Sequence, residues 1–463
     1  MDGTIGGAPG FSLPVLVALS CLLAIPLYLA GRTLRGDAAR FLIAAVWLRY
    51  ILSVFHEVTY QQVVGGLSLN AIGSVLVTAA GLLVINKRYL MLKALLPVYA
   101  LIAIAMASAQ LNGSLLDSLD TVVKYLYFCT LFIATFEALQ DNAPGLLFRR
   151  LLIAFAPLLV FQLLSIATGV VKASELDGSR SYIGGYNHEA AFSVALATFF
   201  VVAAFATGMN RVLKFVLLAV LMTGIALANY RTTIIAMLPF VAHLAVSRST
   251  RLFLPRQRLF LGAAALGATL AAVVVAAILS EGRFGELADF LSRPGTYIKP
   301  QEEFGLEERR LLSGRVYIWS GYIHTWIESS QMQHLIGFGP DNWSEWFRVY
   351  PHNTLIAYLF ELGLIGLAVL IWWWAAMLRL ARRALRPFRA DLLFAQISFI
   401  LLNLATMALW QIEGLILFSI VCGYSMFRAQ EARIALSGRR REPLPREAIG
   451  GTGLVEAPGH SPS

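Results

Sequence analysis

Apolar runs of membrane-spanning length follow one another along almost the whole chain, and Lys and Arg gather in every second gap between them. A run of roughly 20 apolar residues is long enough to cross a bilayer as a helix, and in lipid only a helix or a closed barrel satisfies its own backbone groups. Candidate spans are 11–30, 41–55, 67–85, 94–111, 121–139, 151–170, 190–208, 215–230, 232–246, 259–279, 353–378, 391–410 and 412–427. Arg32, Arg35 and Arg40 follow the first span, Lys87, Arg88 and Lys93 the third, Arg149 and Arg150 the fifth, and Arg211 and Lys214 the seventh. Arg248, Arg251, Arg256 and Arg258 follow the ninth, Arg379 to Arg389 the eleventh, and Arg428 to Arg446 the last. The short loops 56–66, 112–120 and 411–413 carry no Lys or Arg. Cytoplasmic loops retain the positive charge, so the pattern predicts an outside N-terminus, an inside C-terminus and an outside loop at 280–351. The expected fold is an all-α polytopic integral membrane protein of about thirteen (11–13) transmembrane helices.

Composition agrees. Of 463 residues, 58% are hydrophobic and only 14% charged, and the mean hydropathy is +0.69. A soluble domain carries about 25% charge, so a soluble enzyme, a disordered chain and a disulfide scaffold are excluded. The net charge of +10 lies in the loop clusters and so reports topology. Its counter-charge is anionic membrane lipid, not nucleic acid. Cys21, Cys129 and Cys422 each sit within an apolar run and read as small apolar residues. The N-terminal run follows Asp2, not a basic segment, so it reads as an uncleaved first helix and not a signal peptide.

Two segments depart from plain spanning helix. Residues 215–246 carry no charge except Arg231 between two basic flanks. Thirty-two helical residues reach about 48 Å, too long for one ~30 Å crossing and too short for two, so a short-armed hairpin is expected. Its tip, Asn229-Tyr230-Arg231-Thr232, would lie slightly below the outer membrane surface, where an Arg needs a polar cavity or an anion. The second segment is the long loop. Val316, Trp319, Ile323 and Trp326 make one amphipathic helical face within 314–329, suited to the membrane interface. The organisation expected is an N-terminal bundle over 1–279, the loop over 280–351, C-terminal helices over 352–428, and a basic, disordered cytoplasmic tail over 429–463.

His352 opens the helix after the loop, in Tyr-Pro-His-Asn. A helix-terminal His that merely bonds water is the plain reading. Yet His352-Asn353 is followed after nine residues by Gly363 and then Gly366, in HNTLIAYLFELGLIG. Upstream stand Ser313-Gly314-Arg315, a Gly-Phe-Gly-Pro-Asp-Asn-Trp turn from Gly337, and the hairpin Arg231. This set, over about 225–370, resembles the O-antigen ligase and polymerase superfamily of bacterial membrane glycosyltransferases. Arg180-Ser-Tyr-Ile-Gly-Gly-Tyr-Asn-His-Glu is similar to a family segment that more often ends in Asn-Pro-Asn.

The resemblance implies transfer of a glycan from a polyprenyl (undecaprenyl) diphosphate carrier to an acceptor hydroxyl at the periplasmic face of the inner membrane, without a metal or other cofactor. Arg231 and Arg315 would bind the diphosphate, and His352 would act as base or orient the acceptor. Asn353, Arg180, Asn187 and His188 are further substrate-binding candidates. Two guanidinium forks suit a leaving diphosphate, and an imidazole near its ordinary pKa of about 6.5 suits general-base work. No Asp-x-Asp metal-binding pair occurs on an outer loop; Asp117-x-x-Asp120 has the spacing of a helix cap.

Arg49 and Lys124 lie inside spans, and intramembrane charges are functional candidates by default; both suit the carrier pocket, or only carbonyl pairing. Lys172 could touch glycan phosphate beside Arg180. His324 and His334 read as loop residues, His243 as structural, and Trp372, Trp373 and Trp374 as packing or lipid-facing aromatics. Arg309-Arg310 after Glu302, Glu303, Glu307 and Glu308 reads as a self-paired, solvated helix face. Within the resemblance, the changed Asn-His-Glu segment favours a polysaccharide polymerase, with partners in an export assembly. A ligase acting on lipid A core and a protein O-oligosaccharyltransferase are alternatives. A transporter or flippase is the alternative of another class, set back by the absence of matching halves; a membrane scaffold would leave the Arg and His residues idle.

Overall fold

A computed structural model describes residues 10–64, 67–115, 118–173, 180–252 and 292–439, with single positions at 257 and 267. The described chain is almost entirely helical. Its main helices are α1 (Leu13–Arg32), α2 (Asp37–Val54), α3 (Leu69–Val84), α4 (Leu96–Asn112), α5 (Ser118–Asp141), α6 (Pro144–Ala154), α7 (Ala156–Thr168) and α8 (Glu189–Phe205). They continue with α9 (Arg211–Leu227), α10 (Arg231–Leu252), α11 (Arg315–Ile327), α12 (Gln331–Ile336), α13 (Thr354–Arg383), α14 (Arg386–Asn403) and α15 (Ile412–Arg439). Two antiparallel ribbons cross loops: β1 (Gln62–Val64) with β2 (Leu67–Ser68), and β3 (Lys172–Ala173) with β4 (Arg180–Ser181).

Among the described residues, six helical segments are long and apolar enough to cross a membrane: Leu13–Arg32, Lys93–Asn112, Ser118–Asp141, Pro144–Thr168, Thr354–Arg383 and Ile412–Ser437. Shorter apolar helices stand at Leu69–Val84, Glu189–Phe205 and Arg231–Ser247. Each expected span coincides with a helix or a helix pair, except 259–279, which lies outside the described residues. The sixth is divided, because Phe155 ends α6 and Pro157 opens α7. The centre of the fold is α15, packed on α5, α8 and α13. Phe128, Trp373, Phe399 and Phe418 interlock there, with Phe399 and Phe418 stacked at 4.3 Å. By contrast α1 lies at the periphery, and much of its apolar surface is exposed.

Three expectations change. The hairpin arms are longer than the apolar run, because Asn210 caps α9 from outside it by accepting from Val212 N at 2.9 Å and Leu213 N at 3.3 Å. Lys214 then donates to the carbonyls of Ala204 and Ala206 at 2.7 and 2.6 Å, so a basic residue is absorbed without breaking the helix. The 17 residues of α9 and 22 of α10 run to about 26 and 33 Å. The arms also diverge, α9 packing chiefly on α8 and α10 on α14. Second, the face of α11 expected at the membrane interface packs on protein. Val316 is buried against Tyr297 and Phe304, and Trp326 joins Tyr322, Phe338 and Phe360. Third, α15 continues through 429–439, which the expected tail included; 440–463 lie outside the described residues.

The Gly-rich motifs explain each other. Gly363 interrupts α13 with φ 66° and ψ −166°. The break leaves carbonyls of the preceding turn without helical partners. Phe338 N donates to Phe360 O at 2.9 Å, and Gly339 N to Glu361 O at 3.0 Å. Asp341 N donates to the buried Glu361 carboxylate at 3.2 Å. A Cβ on Gly337 would run into the Glu361 backbone, and one on Gly363 into the Leu335 backbone. The turn is thus clasped into the kink, and the clasp holds the loop helices over the start of α13.

Candidate functional site

Four helices begin at one place. The first is α13, whose N-cap Asn353 accepts from Leu355 N at 2.9 Å and Ile356 N at 3.3 Å. Its side-chain oxygen is therefore engaged in capping. His352, just before the cap, is left-handed with φ 53°. Such a conformation costs a non-Gly residue about 1–2 kcal/mol and persists only where the surroundings fix it. They do so here: Trp319 Nε1 on α11 donates to Pro351 O at 2.8 Å, Tyr322 Oη donates to Val349 O at 2.9 Å, and the Tyr350 ring lies 4.0 Å from the His352 ring.

The second helix is α11. Gly314 turns the chain in the left-handed region, φ 82°, and Arg315 is the first helical residue. Its Nη2 donates to Thr232 Oγ1 at 3.3 Å, which brings in the third helix, α10. Arg231 is the first residue of α10, after a turn through left-handed Asn229. It is exposed and forms no ion pair among the described residues. Thr233, the next residue after Thr232, shares a 2.8 Å hydrogen bond with Ser193 of α8.

The fourth helix is α8. His188 is its N-cap, with Nδ1 accepting from Ala190 N at 3.0 Å; that bond puts the proton of the neutral ring on Nε2. Glu189 pairs with Lys172 at 2.8 Å. Asn187 is exposed, and its carbonyl accepts from Lys172 Nζ at 3.4 Å. Arg180 is exposed on β4, and the ribbon keeps it beside Lys172 and Ala173.

Desolvation lowers the His352 pKa to about 4, with Arg315 and then His188 adding to the fall. The ring is thus not near the ordinary value expected from the sequence, because burial strips water from the protonated form and Arg315, from a distant segment, opposes it further. His188 is also held below its ordinary value, by desolvation against the opposing pull of Glu189. Burial pushes the Tyr350 hydroxyl up to about 12, so it remains a neutral hydrogen-bond donor or acceptor. Arg231, Arg315 and Lys172 outnumber the one carboxylate, Glu189. Four helix N-termini add partial positive charge in the same region. The arrangement is chemically an anion site with an uncharged imidazole at its edge.

Arg49 and Lys124 meet elsewhere, around a cavity of about 310 Å³. Arg49 is buried, with Nε 2.9 Å from Glu413 Oε1 and Nη1 bonded to Asn70 Oδ1. Ser53 Oγ donates to the same Glu413 oxygen at 3.2 Å. Lys124 pairs with Asp120 at 2.5 Å and lies 5.2 Å from the Trp410 ring centre. Residue Asp117, the other half of the Asp-x-x-Asp spacing, lies outside the described residues. Sequence reasoning missed Glu413, although it is an acidic residue entering an apolar run and the rule that flagged Arg49 applies to it equally. Tyr350 and Glu189 stand inside the Tyr-Pro-His-Asn and Asn-His-Glu motifs, but the sequence assigned neither a role.

The remaining candidates are structural. His243 donates to Asp391 at 2.7 Å and stacks on Phe394. His324 lies 3.3 Å from Glu328, and His334 Nε2 donates to Ile327 O at 3.2 Å. Trp373 and Trp374 are buried while Trp372 is exposed. The acidic stretch does not pair with its own arginines as expected: Glu308 pairs with Lys299 at 2.9 Å, and Arg309 donates to Phe304 O at 3.0 Å. No protein-family model matches this chain, and no curated protein is significantly similar to it.

Proposed function

We propose that the protein is a multi-pass membrane glycosyltransferase that moves a glycan from a polyprenyl diphosphate carrier to an acceptor hydroxyl at the outer face of a bacterial inner membrane. Polysaccharide polymerisation is the favoured form, and the chain crosses about thirteen times with its N-terminus outside. The observation that carries the proposal is the hydrogen bond from Arg315, the first residue of α11, to Thr232, which follows Arg231 at the start of α10, together with the electrostatic contact of Arg315 with the left-handed His352. The resemblance of the His-Asn and Gly motifs to the O-antigen ligase and polymerase superfamily agrees with it.

The chemistry follows from these positions. The acceptor oxygen attacks the anomeric carbon, the bond from that carbon to the diphosphate oxygen breaks, and the acceptor proton passes to His352. The departing diphosphate stays on its lipid, its charge met by the two guanidinium forks and the helix N-termini. His352 is a weak base in the free protein. A bound diphosphate opposes the field of Arg315 and raises the basicity of the ring where it is needed.

Donor binding measured beside single-turnover transfer tests the proposal. Arg231→Ala and Arg315→Ala should each lose about 1.5–3 kcal/mol of charge-assisted binding, or roughly tenfold to more than a hundredfold. Arg→Lys should rescue only in part, having lost the fork. His352→Ala should bind donor normally and transfer about 10²–10⁴-fold more slowly. Normal transfer by His352→Ala, or parental binding by both Arg variants, would refute the site. Transfer should also survive EDTA, since the assignment uses arginines where other enzymes use a divalent cation. Loss on chelation with recovery on adding Mg²⁺ would remove the two-arginine mechanism.

A further inference from the structure

The cavity around Arg49 and Lys124 differs in charge from the site at His352. Its wall carries two cations, Arg49 and Lys124, and two carboxylates, Glu413 and Asp120, joined in pairs. The charges cancel, so the cavity offers little to a second phosphate. What it does offer is dense neutral polarity beside two aromatic side chains: Asn70, Ser74 and Gln411 with Tyr60 and Trp410, over whose ring Lys124 lies on one side. Trp410 Nε1 and Gln411 Oε1 are buried and lack hydrogen-bond partners among the described residues.

Position matters as much as chemistry. Arg49, Asn70, Lys124 and Glu413 all lie within about two turns of a helix end, on α2, α3, α5 and α15. Ala191, in the first turn of α8, also lines the cavity, three residues from His188. Tyr230, beside Arg231, donates to Ala405 O at 3.5 Å, in the connection that leads to Trp410. The cavity therefore adjoins the anion site through α8 on one side and through the 405–411 connection on the other. At about 310 Å³ it is at the small end of ligand pockets.

We propose that this cavity is a subsite for one neutral sugar ring of the glycan, set beside the diphosphate site. An aromatic face receives the C–H side of a pyranose, while amides and paired charges exchange hydrogen bonds with its hydroxyls. The proposal rests on the glycosyltransferase assignment for its ligand but uses different residues, so the two can fail separately. The sugar ring could belong to the donor or to the acceptor.

The test uses full-length protein in nanodiscs, with saturation-transfer NMR and calorimetry. The probes are neutral methyl hexosides, the acidic methyl glucuronide, and inorganic pyrophosphate. A neutral hexoside should bind, the glucuronide at least tenfold more weakly. Trp410→Ala should weaken hexoside binding at least tenfold and leave pyrophosphate binding unchanged; Arg315→Ala should do the reverse. In case Trp410→Ala fails to fold, Ala71→Phe fills the cavity without removing a polar group and should block the hexoside alone. Undecaprenyl diphosphate bearing one N-acetylglucosamine, compared with the bare carrier, separates the sources. Displacement of the hexoside only by the sugar-bearing lipid marks a donor subsite, and displacement by neither marks an acceptor subsite. Absence of hexoside binding, or hexoside binding indifferent to both Trp410→Ala and Ala71→Phe, would overturn the proposal. Pyrophosphate binding that Arg315→Ala leaves intact would instead refute the diphosphate site.

Discussion

At the scale of single residues, His352 separates stability from activity. Its left-handed backbone, φ 53°, suits Gly better than His. His352→Gly should therefore raise the melting temperature while abolishing transfer, and His352→Asn, which tolerates this backbone, should fall between in stability. Proton linkage sharpens the test. The folded pKa is depressed to about 4 from an ordinary value near 6.5. The unfolded chain binds the proton first, so stability is lost as pH falls from about 6.5 towards 4. The advantage of His352→Gly should grow across that window in melts taken at stepped pH. Kinetics gives a second readout: the acid limb of kcat/KM reports the free enzyme and that of kcat the complex. The first should lie near pH 4, and the second should lie higher because the bound anion favours the protonated ring.

At the scale of elements, the kink of α13 and the turn at Gly337 form one device. Two backbone hydrogen bonds close it, from Phe338 N and Gly339 N to the carbonyls freed at Phe360 and Glu361. Gly363→Ala meets two penalties: a backbone at φ 66° and ψ −166° open essentially to Gly alone, costing about 1–3 kcal/mol, and a clash with the Leu335 backbone. Gly113→Ala meets only a left-handed backbone, φ 74°, worth about 1–2 kcal/mol, and nothing lies within 4 Å of the added Cβ. Comparing them isolates the clasp. Gly363→Ala should lower the melting temperature further, expose 292–350 to limited proteolysis and abolish transfer, whereas Gly113→Ala should keep both protection and activity. Equal behaviour would mean that the clasp does not hold the loop over His352.

At the scale of the whole molecule, charge and site fall at opposite ends. Arg231, Arg315 and His352 stand at the starts of their helices. Arg382 and Arg383 close α13 at the end opposite His352, and Arg149 donates to Thr207 O, just past the end of α8 opposite His188. On the positive-inside rule the site is then expected outside. A reporter active only outside the cytoplasm should be silent when fused after Gly450 and active when inserted near Gly295. The opposite pattern would put the anion site in the cytoplasm and overturn the proposed transfer at the outer face.

Helices and their order were legible in the sequence because they depend on local quantities. Apolar run length fixes where a helix can span, and caps such as Asn210 and Asn353 fix where it starts. Arg231 stood out locally as the lone charge in an apolar segment, whereas His352 and Arg315 were singled out through motif resemblance, since nothing local distinguishes Arg315 from Arg310. Tertiary structure alone decided what these residues meet. Arg315 reaches Thr232, 83 positions away, and Arg49 reaches Glu413, 364 positions away. The His352 pKa was misjudged from sequence for the same reason. A pKa sums desolvation and charge over every neighbour in space; here burial is the largest cause and Arg315 and His188 add to it, and all of these come from packing that no local pattern encodes.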